Sequence, residues 1–100
     1  MSMLIHGSSL LAESSFKTCV LLVDRYKHEI EINKQDMLLL YSYFKQSTTG
    51  NAPDDCPSIL DLKNYAKWSS WHKLQGYSKK NSMQNYVNVV KRLLNSANSS

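Results

Sequence analysis

The chain has few of the residues that staple, span or coordinate. Cys19 and Cys56 are the only cysteines in 100 residues. Two thiols without motif spacing argue for a reduced, intracellular protein and against a disulfide framework. His6, His28 and His72 are scattered, and no Cys or His pair has the spacing of a zinc site, so the histidines read as solvent-facing. No apolar run approaches the roughly 20 residues that span a bilayer. The first fifteen residues lack a basic leading region and make a poor signal peptide, which leaves the cytosol as the expected location. Two prolines and three glycines leave long stretches without a breaker, and there is no second strand-like segment to pair with the one alternating run, Glu29-Ile30-Glu31-Ile32. That run is therefore read as a loop with Ile30 or Ile32 turned inward.

What is present is helical periodicity. One hundred residues form one domain with a single core. Ser14 and Ser15 are cap candidates for a first helix whose apolar stripe is Phe16, Cys19, Val20, Val23 and Tyr26, thickened by Leu21 and Leu22 and ending near Lys27 or His28. Asn33 is the cap candidate of a second helix, with Asp36 near its positive end and Gly50 as its stop. A loop with Pro53 and Pro57 follows. Asp61 opens a third helix through Leu62, Ala66, Trp68, Trp71 and Leu74, ended by Gly76, and Ser78 caps a fourth through Met83, Tyr86, Val87, Val90, Leu93 and Leu94. The expected architecture is an all-α, four-helix bundle over residues 14–95, with a flexible segment over 1–13 and a polar tail over 96–100.

The net charge is +4, and Lys63, Lys67, Lys73, Lys79, Lys80, Lys91 and Arg92 make the second half basic. Such a balance favours an anionic partner without naming one. Tyr41 and Lys45, four residues apart on the second helix, share a face with Phe44 beside them, and Lys63 and Lys67 form a similar pair on the third. Ammonium groups bind phosphates and rings stack on a flat base, so this set suits a nucleotide-like ligand. Spacing by itself equally allows the ordinary reading, in which Tyr41, Phe44 and Tyr86 are core aromatics and the lysines a solvated face. For Trp68 and Trp71, size points to the core.

From Tyr41 to Tyr86 the order Tyr41, Phe44-Lys45-Gln46-Ser47-Thr48, Gly50, Pro57, Ala66-Lys67-Trp68, Trp71, Leu74, Gly76, Ser78, Met83 and Tyr86 resembles the acyl-CoA-binding proteins, also called diazepam-binding inhibitors. The similarity covers roughly residues 16 to 94 and needs no gap after Met37. It implies an up-down-down-up bundle and a non-catalytic role, without a cofactor, in binding, buffering and transporting long-chain fatty acyl-CoA. Transient contact with acyl-CoA-using enzymes or membranes is implied as well, as is a monomer with no nucleic acid. By position the ligand residues implied are Tyr41, Lys45, Lys67, Lys63, Tyr86 and Met37. Phe44 stands where tyrosine is usual, and Asn51 where aspartate follows the glycine. Asp24 stands where a ligand-contacting lysine is common, with neighbouring Arg25 as its substitute. The connection between the first two helices is about two residues longer than usual. Two other classes fit less well, a basic helical nucleic-acid-binding domain and a thioester hydrolase. The first lacks any helix-turn-helix or zinc-finger pattern and is poor in arginine; the second lacks a nucleophile with a nearby base. A module of a larger protein is a further alternative.

Overall fold

The computed structural model describes residues 2–98, and side chains over 11–97. Four helices occur in order: α1 Ser2–Tyr26, α2 Lys34–Thr48, α3 Leu62–His72 and α4 Lys79–Asn98. There is no strand among the described residues. The bundle is up-down-down-up. α2 and α4 form its central pair, α1 packs on α4, and α3 packs on α2.

The caps follow local chemistry. Asn33 accepts the backbone N–H of Asp36 at 2.8 Å, and Thr49 and Gly50 close α2 by donating to the Lys45 carbonyl. Gly50 has φ +98°, a left-handed conformation that disfavours other residues. Asp61 caps α3, and Ser78 Oγ accepts the Asn81 N–H at 3.0 Å at the start of α4.

Both ends differ from expectation. α1 begins at Ser2, so Ser14 and Ser15 lie inside it, and the segment expected to be flexible is helical from Ser2 to Glu13. No proline interrupts that stretch, and Leu10, Leu11, Ala12 and Glu13 are good helix formers, so the serines have no end to cap. α4 likewise continues through Ser96 to Asn98, into the expected polar tail. Residues 1, 99 and 100, and the His6 side chain, lie outside the described residues. α3 ends at His72 rather than running on to Gly76; Leu74 to Gly76 form a turn.

The core gathers Phe16 from α1, Leu40 from α2, and Tyr86, Val87, Val89 and Val90 from α4. Phe16 meets Tyr86 edge-on at 5.2 Å and lies over Phe44 at 6.2 Å. Burying each such side chain contributes about 1.5–3 kcal/mol. Cys19, Val20 and Val23 complete the α1 stripe, but Leu21 is 70% exposed because it stands about 140° around the helix from Phe16. Ile30 and Ile32 both turn inward, lining a cavity of about 320 Å³ with Leu22, Tyr26, Leu93 and Leu94. Asp36, expected to act only on its own helix end, also reaches α4. Its buried carboxylate accepts from Arg92 Nη2 at 2.6 Å and Nη1 at 3.4 Å, and these bonds raise the guanidinium pKa.

Polar groups hold the other end of the bundle. Gln46, 1% exposed, donates Nε2 to Asn51 Oδ1 at 2.8 Å and to the Tyr77 carbonyl at 3.1 Å, and Asn51 Oδ1 also accepts the Gly76 N–H at 2.9 Å. Asn51 thus supplies the acceptor oxygen that an aspartate would. Trp71 is buried and donates to the Gly50 carbonyl at 2.8 Å. Trp68, read as core from its size, is only half-buried: its indole N–H donates to the Pro53 carbonyl at 2.7 Å and its ring stacks on His72 at 4.6 Å. His72 is accordingly a partnered residue, with Nε2 3.3 Å from Asp54.

Candidate functional site

Two lysine–aromatic contacts define the seam between α2 and α3. Lys67 Nζ lies 5.3 Å from the Tyr41 ring centre, and Lys45 Nζ lies 4.9 Å from that of Trp71. A step of four residues along α2, from Tyr41 to Lys45, thus corresponds to a step of four along α3, from Lys67 to Trp71. The two helices run in the same direction, which is what the long connection with its two prolines allows. Each ammonium rests on a ring face, an attraction of about 0.5–1 kcal/mol at partly exposed sites that still leaves its N–H groups free to donate to an anion.

Beside this seam, a groove of about 300 Å³ runs between α1 and α2, with Tyr86 of α4 among its lining residues. The backbones of α1 and α2 stay apart and meet through side chains such as Phe16 over Phe44, and this separation leaves the groove open. Val20, Val23 and Leu40 supply apolar walls; Met37, Tyr41, Phe44 and Tyr86 supply the sulfur and rings. Met37 is 41% exposed, whereas Tyr86 is 4% exposed. Burial pushes the Tyr86 phenol up to about 12, with a smaller contribution from Cys19, so at neutral pH the group is a neutral hydroxyl able to donate. Burial also raises the Cys19 thiol, partly offset by Lys91, and the Tyr43 phenol.

Of the residues expected from the sequence, Met37, Tyr41, Phe44 and Tyr86 come together in the groove, and Lys45 and Lys67 stand along its neighbouring seam. Lys63 is exposed on the first turn of α3. Arg25 is exposed and is not among the groove-lining residues; Asp24 and Lys27 are, joined by an ion pair at 3.6 Å. The cation on the α1 side of the groove is thus Lys27, one helical turn beyond Val23 on the same face. That spacing was visible in the sequence, but which face of α1 looked at α2 was not. The structure offers no cluster of three His, Cys, Asp or Glu side chains for a metal ion among the described residues. None of their helices is long and apolar enough to cross a membrane.

A groove of rings flanked by lysines on an up-down-down-up bundle has known relatives. The family model described as acyl CoA binding protein matches residues 13–90. The acyl-CoA-binding domain-containing protein 2 of Oryza sativa subsp. japonica is 41% identical over 69 residues, which are 69% of this chain and 76% of that protein. Among solved structures, the Oryza sativa acyl-CoA-binding protein 2 superposes with a TM-score of 0.82 at 31% identity, over 91% of this chain and 97% of that one. The acyl-CoA-binding protein of Moniliophthora perniciosa superposes at 0.80 with 30% identity, over 85% and 82%. The chain belongs to the acyl-CoA-binding protein family.

Proposed function

We propose that the chain is a monomeric, cytosolic, non-catalytic carrier that binds long-chain acyl-CoA esters, buffers them and delivers them to enzymes. The observation that carries this reading is the convergence of Tyr41, Lys45 and Lys67 on one parallel seam, next to a groove holding Met37, Phe44 and Tyr86. A CoA nucleotide needs a ring to stack on, donors for its phosphates and a hydroxyl for its remaining polar edge. Phe44 and Tyr41 supply rings, Lys45, Lys67, Lys63 and Lys27 supply charge-assisted donors, and Tyr86 supplies the hydroxyl. Phosphates placed there meet ammonium groups already held on ring faces, so less side-chain entropy is lost on binding.

Nothing in this arrangement requires bond cleavage. The lysines are suited to binding charge; no histidine or cysteine is among the groove-lining residues, and their one carboxylate, Asp24, is paired with Lys27. Affinity in a carrier of this kind should come mainly from shielding the chain, up to about 0.8 kcal/mol for each methylene buried, while the lysines and rings select CoA. Calorimetric titration with CoA esters of graded chain length tests the reading: affinity should climb with chain length and the palmitoyl thioester should be recovered intact. An affinity that is flat across the series, or release of free CoA with turnover, would replace the carrier by another function.

A further inference from the structure

The cavity of about 320 Å³ at the end of α1 is built by a folded-back turn. The N–H groups of Glu29 and Ile30 both donate to the Tyr26 carbonyl, at 2.9 and 3.0 Å. This tight reversal sets Ile30 and Ile32 against the end of α1, in one wall with Leu93 and Leu94 of α4, and leaves Glu29 and Glu31 exposed. The lining is hydrocarbon almost throughout. Lys27 contributes its stem, while its ammonium pairs with Asp24 at 3.6 Å.

Such a space suits hydrocarbon better than water. An ordered water needs roughly two to four polar partners, and an apolar cavity of about 150 Å³ already stays dry and takes up a small hydrocarbon. The neighbouring groove indicates which hydrocarbon. Val23 and Lys27 line both spaces, so the groove and the cavity adjoin along the last turns of α1. Phe16 of α1 lies over Phe44 of α2, and the two helices run in opposite directions. Passing along α2 from Phe44 toward Met37 is therefore passing along α1 from Phe16 toward Val23 and Lys27, all of them but Phe16 groove-lining residues. Lys45 follows Phe44 directly, at the end of the groove away from the cavity.

We propose that this cavity receives the far end of the acyl chain. A ligand whose nucleotide lies on Tyr41, Phe44 and Lys45 runs along the groove, passes Val23 and ends between Ile30, Ile32, Leu93 and Leu94. This deepens the carrier reading and rests on it: the groove serves short and long esters alike, and the cavity adds the preference for long ones. Each methylene moved from water into the cavity strengthens binding by about fourfold. Leu22, Tyr26 and Leu94, each more than a third exposed at the cavity rim, gain cover from the same chain.

The test is calorimetry with octanoyl-CoA and palmitoyl-CoA on the full chain and on two variants that fill the cavity from its rim, Leu22→Trp and Leu94→Trp. Each variant should bind palmitoyl-CoA at least about tenfold more weakly than the native chain, the worth of two or so methylenes. Octanoyl-CoA affinity should stay within about twofold, because neither leucine lines the groove. Methyl NMR spectra of the native chain read the cavity without any substitution: the signals of Ile30, Ile32, Leu93 and Leu94 should move with palmitoyl-CoA and stay in place with octanoyl-CoA. Unchanged palmitoyl-CoA affinity in both folded variants, or native methyl signals that ignore palmitoyl-CoA, overturns the cavity as the end of the chain's path and leaves the carrier reading standing. Palmitate without CoA that moves the same signals equally would make the cavity a separate fatty-acid site and overturn its continuity with the groove. A native chain that binds neither ester overturns the carrier reading, and this inference with it.

Discussion

The two sides of α2 are held by different forces. Toward α1 and α4 the contact is an apolar core, with Phe16 against Tyr86 and Phe44 and with Leu40, Val87 and Val90 around them. Toward α3 the contact is polar and aromatic, with Lys45 on Trp71, Lys67 on Tyr41, and indole N–H groups hung on the carbonyls of the connecting loop. Burial is non-directional and fixes stability; ring and ammonium contacts are directional and leave donors facing solvent. One helix therefore packs the core with one face and presents lysines and rings with the other.

The difference can be broken most severely at Phe16. Phe16→Ala should lower the unfolding free energy by about 3–5 kcal/mol, read from the urea midpoint, because the cavity it leaves lies between three helices. Lys45→Ala should do the reverse, weakening both CoA and acyl-CoA by about 1.5–3 kcal/mol in calorimetry while changing stability by less than about 1 kcal/mol. Unchanged titrations would remove Lys45 from the site.

Alkaline pH sharpens the contrast further. The Tyr86 phenol is raised from 10.0 to about 12 in the folded chain. Its contribution to stability is therefore complete below pH 10, where the phenol is neutral in both states. Between about pH 10 and 12 the unfolded chain ionises first, so stability should fall by up to about 2 kcal/mol, to which the raised Cys19 and Tyr43 add in the same direction. Tyr86→Phe should flatten part of that slope, measured by denaturant midpoints across the range. The smallest effect belongs to Phe44, whose ring lies both against Phe16 and in the groove. Phe44→Tyr should tighten CoA binding by about 1 kcal/mol or less, the worth of one hydrogen bond; weaker binding would mean that the ring serves the core alone.

Much of the fold was legible because it depends on neighbours in sequence. Asn33, Asp61 and Ser78 cap helices through bonds to residues three ahead, and Gly50 stops α2 through a backbone conformation that glycine tolerates. The start of α1 was misread because a cap candidate is informative only where the preceding chain cannot itself be helical. Trp68 was misread for a related reason: size predicts burial on average, but its indole N–H is held by Pro53, fifteen residues away. The pairing of Asp36 with Arg92, fifty-six residues apart, had no local signature at all.

The sequence by itself determined the four helices, the loop between the second and third, and the residue types of the site, since periodicity, caps and chemistry are properties of short stretches. Tertiary structure alone decided that Lys67 would meet Tyr41, that Lys45 would meet Trp71, and that Lys27 rather than Arg25 would face the groove. Those outcomes follow from helix register and from which face each helix turns inward. Both are set by the packing of the whole bundle, and no single segment encodes them.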